Sequence, residues 1–179
     1  MITISSPKGA SIRCEWDKKV LAVFPDENKK TADALITLLK SPEEESQEGV
    51  ISWPGEYDIE EIAIRGIGHK EGAQVSFAVE MDGVRFGFLS SPLAEWSDYE
   101  LELLGDIDVL VITANKPKVV QKLVDEIDPR ILIPVPNGDK DVFDEVLNVC
   151  GAKGQEVVTE YKVKGLPAEG RTVVVLKKA

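Results

Sequence analysis

Apolar and polar residues alternate through much of the first half of the chain, which is the signature of half-buried strands. The pattern predicts strands over Met1–Ser5, Ser11–Trp16 and Lys19–Phe24, separated by turn signals at Pro7-Lys8-Gly9 and Asp17-Lys18. Ala34–Leu39 is an apolar run suited to a buried strand, followed by Val50–Trp53 and, after the Pro54-Gly55 break, one strand over Tyr57–Ile67. Gln74–Glu80 and Val84–Leu89 flank Met81-Asp82-Gly83, and the Asp-Gly step favours a tight hairpin because both positions tolerate positive φ. In that hairpin Val75, Phe77 and Val79 share one face, as do Val84, Phe86 and Phe88.

The period then changes. Ser97 with Glu100 three residues later forms a capping box opening a short helix through Leu104, stopped at Gly105. Asp108–Thr113 is a dense apolar strand. Asn115, Lys116 and Pro117 start a helix whose inner side carries Val119, Val120, Leu123, Val124 and Ile127, closed by Pro129. Arg130–Val135 is another buried strand, and Asp139–Cys150 is an amphipathic helix ending at Gly151. Glu156–Val163 and Arg171–Leu176 complete the pattern as a final strand pair. Meandering strands followed by alternating strands and helices predict a mixed-sheet α/β layered fold in one domain spanning 1–179.

Composition narrows the functions open to such a fold. The 179 residues carry a net charge of −11, which opposes phosphate backbones and anionic lipid, so no nucleic-acid or membrane partner is expected. The acids cluster: Glu43, Glu44, Glu45, Glu48, Glu56, Asp58, Glu60 and Glu61 fall between Lys40 and Arg65 with no intervening base. Between Arg85 and Lys116 the same holds for Glu95, Asp98, Glu100, Glu102, Asp106 and Asp108. Such runs form a solvated acidic face or recognise a basic partner. Cys14 and Cys150 are far apart with no CxxC pair, which fits a reducing, cytoplasmic setting and leaves their pairing open. The first residues lack the basic and apolar regions of a signal peptide, and no apolar run approaches a membrane span.

Candidate chemistry is sparse. A Ser-His-acid triad would have to use His69, the chain's one histidine, and no Gly-x-Ser-x-Gly elbow presents a serine. A lone histidine after a strand reads as a surface or turn residue. Gly66-Ile67-Gly68 lacks the third glycine of a dinucleotide fingerprint and reads as a strand end. The Glu43–Glu48 run lacks the spacing and central glycine of a calcium loop. Asp33 and Glu56 are expected to satisfy backbone donors or hold turns.

Five segments carry a family signature: Ala32–Thr37, Trp53-Pro54-Gly55-Glu56-Tyr57-Asp58-Ile59, Val79–Leu89, Gly105–Val111 and Asp128-Pro129-Arg130-Ile131-Leu132-Ile133-Pro134. In this order, over roughly residues 1–137, they resemble the small prokaryotic, zinc-dependent hydrolase-like branch of the metallo-β-lactamase superfamily. The resemblance implies a four-layered αββα sandwich with a site for two zinc ions at the edge between two sheets. The family's first motif, His-x-His-x-Asp-His, reads Leu38-Leu39-Lys40-Ser41-Pro42-Glu43 in register, and only Glu43 keeps ligand character. Ser91 stands where the bridging aspartate belongs, and Pro136 where the terminal histidine does. The family's imidazoles and carboxylate make a metal-bound hydroxide at neutral pH, and that chemistry has lost its ligands here.

What the resemblance then implies is a metal-free, non-catalytic binding or assembly module with no cofactor, whose partner is a second copy or another protein. Leu38, Lys40, Pro42, Glu43, Ser91 and Pro136 would be vestigial positions, with no catalytic residue and no metal ligand among them. A hydrolase of phosphoesters, lactones or amides, using other ligands or residues from a partner, is the alternative. A third reading reuses the edge as a small polar cleft formed by Lys40, Glu43, Ser90 and Ser91.

Overall fold

A computed structural model describes residues 1–178. Strands β1 (Ile2–Ser5), β2 (Ile12–Trp16) and β3 (Lys19–Val23) form an antiparallel meander, which β4 (Ile36–Leu38) and β5 (Val50–Ile51) extend in parallel. Next come β6 (Gly55–Ile59), β7 (Ile62–His69), β8 (Gln74–Met81) and β9 (Val84–Leu89), each antiparallel to the one before it. Helix α1 (Asp98–Leu104), β10 (Val109–Ala114), α2 (Pro117–Ile127), β11 (Ile131–Pro136) and α3 (Lys140–Val149) then alternate, with β9, β10 and β11 parallel. The last segments are β12 (Val157–Val158), β13 (Glu160–Val163), β14 (Thr172–Val173) and β15 (Val175–Leu176). One sheet has the order β13-β1-β2-β3-β4-β5, the other β14-β11-β10-β9-β8-β7-β6, and β12 pairs with β15.

The two sheets pack face to face because their inner faces are almost wholly apolar. Ile2, Ile4, Cys14, Leu21, Ile36 and Leu38 meet Phe77, Val79, Phe86, Phe88, Val111 and Ile133. Phe77, Phe86 and Phe88 are fully buried, each stabilising the fold by roughly 1.5–3 kcal/mol relative to exposure. The second sheet is apolar on its outer side too: Leu89, Leu110, Ile112 and Leu132 pack under Val120, Leu123, Val124 and Val146 of α2 and α3. The α/β sandwich anticipated from the sequence is therefore what forms. Its helices lie against the second sheet, whereas the first sheet's outer face presents the half-exposed or exposed Thr3, Ser5, Arg13 and Glu15. No described helix is long and apolar enough to cross a membrane.

Two expected elements differ. Tyr57–Ile67 is a hairpin and not one strand, because Glu60 and Glu61 both take positive φ (50° and 68°) and reverse the chain between β6 and β7. Neither is glycine, so the residue types gave no turn signal. The final strand pair forms only in part, as a short parallel pairing of β12 with β15. Glu156–Val163 splits so that β13 pairs with β1 while β12 pairs with β15, and Arg171–Leu176 splits so that β14 joins β11. Each bend lets one short stretch satisfy the backbone edge of two sheets. Asp33 and Glu56 pair with Arg13 (2.9 Å) and Arg65 (2.7 Å) across neighbouring elements.

The thiols are both free. Cys14 lies between the sheets, where burial pushes its pKa up to about 12, and Cys150 packs beside the helices. Gly66 in β7 permits a close approach: a Cβ there would lie 2.7 Å from the Trp53 carbonyl oxygen and 3.2 Å from Pro54 Cα. Gly66→Ala must push the Trp53–Pro54 segment outward and is expected to lower stability by about 1–3 kcal/mol. Urea unfolding followed by tryptophan emission measures this, and an unchanged midpoint would contradict the close approach.

Candidate functional site

Several strands end at one edge of the sandwich. The carboxyl ends of the parallel β9, β10 and β11 lie together, and so do the end of β7 and the start of β8, which pair as His69 with Gln74. The end of β4 joins them from the other sheet, since the Val75 N–H donates to the Lys40 carbonyl (2.8 Å). Leu38, Lys40, Ser91 and Pro136 all fall at this edge. Leu38 is fully buried between the sheets. Pro42, Glu43 and Pro136 are half-buried, and the Glu43 main chain is held by Ser52 Oγ (3.1 Å) and Trp53 Nε1 (2.9 Å).

His69 is the correction here. It is no surface or turn residue: its side chain is 11% exposed and both ring nitrogens are engaged. Nδ1 faces the Glu100 carboxylate, and Nε2 lies 2.9 Å from Ser76 Oγ. Ser76 Oγ is 3.0 Å from Ser90 Oγ and accepts from the Ser90 N–H (3.0 Å). Gln74 Nε2 donates to Ser90 Oγ (2.9 Å) and to the carbonyls of Ser90 and Pro92 (3.1 Å each), which fixes the orientation of its amide. One tautomer uses every donor in turn: Gln74 to Ser90, Ser90 to Ser76, Ser76 to Nε2, and Nδ1–H to Glu100. The imidazole also rests against Trp96, ring centroids 4.6 Å apart.

Local sequence explains how Glu100 arrives. Ser97 Oγ accepts from the Glu100 N–H (3.2 Å) while Ser97 N–H donates to Glu100 Oε1 (2.8 Å), the capping box read from the sequence. The other carboxylate oxygen is left to face His69. Burial pushes the Glu100 pKa up, but the hydrogen bonds from Ser97 and His69 outweigh it and hold the group below its ordinary 4.5. Acid, imidazole and hydroxyl thus stand in triad order. Ser76 is nonetheless 1% exposed, and its oxygen is occupied from three sides, so it has no face open to a carbonyl. The chain of bonds works as a fastener joining α1, β7, β8 and β9.

A cavity of about 160 Å³ adjoins the fastener, lined by His69, Gln74, Ser90, Trp96 and Glu100 among others. Of the expected cleft residues only Ser90 lines it; Lys40, Glu43 and Ser91 do not. Gln74, Ser76, Trp96 and Glu100 were not singled out for this site from sequence. Strand alternation places Ser76 opposite Val75 and Phe77, and the capping box marks Glu100, but neither signal says that the two meet. Among the described residues no group of three His, Cys, Asp or Glu side chains is placed to hold a metal. This donor set does not fit the two zinc ions of the resembled family.

A two-sheet sandwich with this edge defines a class, and comparison with known proteins agrees. The chain matches the family described as beta-lactamase superfamily domain over residues 20–136. It therefore belongs to the beta-lactamase superfamily. Among solved structures it resembles a candidate Zn-dependent hydrolase of the metallo-β-lactamase superfamily from Thermotoga maritima, at 20% identity and TM-score 0.81 over 100% of both chains. It is also similar to Igni18, a metallo hydrolase from the archaeon Ignicoccus hospitalis, at 10% identity and TM-score 0.63 over 91% of this chain and 99% of that one. The metallo-β-lactamase fold protein YhfI from Bacillus subtilis matches at 8% identity and TM-score 0.60, covering 99% and 96%. At these identities the likeness is one of fold. No curated protein sequence matches the chain.

His69→Ala removes the partner of the second Glu100 carboxylate oxygen and one of the three partners of Ser76 Oγ, and is expected to cost about 2–4 kcal/mol, whereas removing the exposed Glu102 carboxylate (Glu102→Gln) should cost little. Equal unfolding midpoints for the two variants would refute the fastener. The depressed Glu100 pKa adds a pH signature. Its contribution is fully present above the unfolded value near 4.5 and is lost as pH falls through the lower folded value. Glu100→Gln should flatten that part of the stability profile, and an unaltered profile would remove Glu100 from the account.

Proposed function

We propose that this chain is a metal-free, non-catalytic member of its superfamily, working as a binding or assembly module for a protein partner. The observation that supports the reading is the state of the edge. The positions in register with the family's ligands are a core leucine, a lysine, two prolines, a glutamate and a serine (Leu38, Lys40, Pro42, Pro136, Glu43 and Ser91), and the single imidazole spends both nitrogens on Glu100 and Ser76. A metal would need His69 to surrender those bonds, and one nitrogen ligand cannot hold zinc at neutral pH. On this reading no cofactor is required, and the acidic balance favours a basic protein surface over nucleic acid or membrane.

Metal analysis of chain purified without chelator is the direct test. No stoichiometric zinc, iron or manganese is expected, with a thermal midpoint indifferent to EDTA and no hydrolysis of bis(p-nitrophenyl) phosphate. About one metal ion per chain, removed by EDTA together with a phosphodiesterase activity, would overturn the reading in favour of a hydrolase with an unusual ligand set.

A further inference from the structure

The cavity beside the fastener leaves one withdrawn polar group unmatched. Gln74 is 8% exposed, and its Nε2 donates to three oxygens of Ser90 and Pro92. The Oε1 at the other corner of the amide accepts from none of the described residues. Flipping the amide would set that oxygen against two carbonyl oxygens, so the acceptor is fixed in place. Nor is it sealed in the interior, since among the described residues the enclosed and unpaired side-chain atoms are Asn28 Oδ1 and Asn115 Oδ1. Gln74 meets open space where it lines the cavity of about 160 Å³. A withdrawn amide oxygen without a donor is costly, so the arrangement suits a guest that brings an N–H or O–H.

Two unlike charges border the same cavity. Glu100 is 21% exposed there, and the hydrogen bonds from Ser97 and His69 keep its carboxyl ionised at neutral pH. In the tautomer that completes the fastener the imidazole is neutral, so the charge of the carboxylate is not cancelled. Lys70 is exposed and makes no ion pair or side-chain hydrogen bond among the described residues. Glu95, also exposed, has Lys122 at 3.7 Å. Pro92, Ala94 and Trp96 supply apolar surface to the rest of the wall. A cationic guest would satisfy Gln74 and Glu100 but meet Lys70, and an anionic guest would meet Glu100. A guest that carries both charges satisfies all three. Liquid water takes about 30 Å³ per molecule, so the space holds about five water-sized groups, the bulk of glycine or alanine.

We propose that the cavity binds a small α-amino acid, whose ammonium group donates to Gln74 Oε1 and the Glu100 carboxylate and whose own carboxylate faces Lys70. The acceptor is held ready by the bonds of Gln74 to Ser90 and Pro92, so little ordering is needed on binding. The site uses no metal and goes beyond the binding-module reading, since it holds whether or not a protein partner docks elsewhere.

Isothermal titration calorimetry of the full chain, in buffer containing EDTA, tests it with three matched probes. L-Alanine carries both charges, ethylamine lacks the carboxylate, and propionate lacks the ammonium group. Alanine is expected to bind one per chain, and each analogue at least about tenfold more weakly. L-Phenylalanine, too large for the space, should not bind. Lys70→Gln should weaken alanine by about fivefold or more while leaving ethylamine unchanged, whereas Lys153→Gln, an equal charge change at an exposed position outside the cavity, should alter alanine by less than about twofold. Gln74→Met removes the acceptor and should abolish binding; its thermal midpoint shows whether it folds, and the exposed Lys70 variant decides the matter if it does not. Absence of alanine binding, equal binding of alanine and ethylamine, or equal losses in the two lysine variants would overturn the proposal. So would alanine binding that appears only without EDTA, because a metal would then hold the ligand. Metal content is measured separately, so a chain that held zinc yet bound alanine in EDTA would sink the metal-free reading and leave this site standing.

Discussion

A polar side chain withdrawn from water must find a partner inside the protein or cost the fold one to several kcal/mol. At the edge where β4, β7 and β9 end, Gln74, Ser76, Ser90 and His69 are all withdrawn from water, and they meet that demand among themselves and with Glu100. The resulting line of bonds runs between α1 and three strands. Because Ser90, Ser76 and His69 each accept from one neighbour and donate to the next, the line has one direction and little tolerance for a missing link. The imidazole is consequently a structural element, and its proximity to serine carries no catalytic implication while the hydroxyl remains covered.

The rest of the architecture supports that edge from two sides. The apolar core between the sheets fixes strand register, since a slip of one residue would turn Phe77, Phe86 and Phe88 outward. The helices then bury the outer apolar face of the second sheet alone, under Val120, Leu123 and Val146. The first sheet needs no such cover because its outer positions, Thr3, Ser5, Arg13 and Glu15, tolerate water. The fold and its outer surface thus follow from the same alternation: Glu56, Asp58, Ala63, Arg65, Ala78 and Glu80 are the residues that leave the core on β6–β8.

Much of this was legible in the sequence because it rests on periodicity. The Asp82-Gly83 hairpin, the inner faces of β8 and β9, the apolar stripe of α2 and the capping box at Ser97 all stand as read. Reading failed where geometry depended on residues that give no local signal. Glu60 and Glu61 turn the chain although neither favours positive φ, and tertiary pairing of β6 with β7 compensates that cost. His69 looked isolated because its partners lie seven and thirty-one residues away on elements whose docking cannot be derived from spacing. The split of 156–163 between two pairings is likewise set by what the sheet edges lacked.

The pairing of β1 with β13 reaches beyond packing. Ile2–Ser5 has Glu160–Val163, more than 150 positions later in the chain, as its outer neighbour in the sheet. Loop closure over so long a stretch is slow relative to the local hairpins, so the flank of β1 stays open after they have formed. Until β13 arrives that flank is an unpaired strand edge over an apolar face, the feature that draws incompletely folded chains into aggregation. Closure of that edge is a late event in folding, and the yield of folded protein depends on how well the flank is guarded in the meantime.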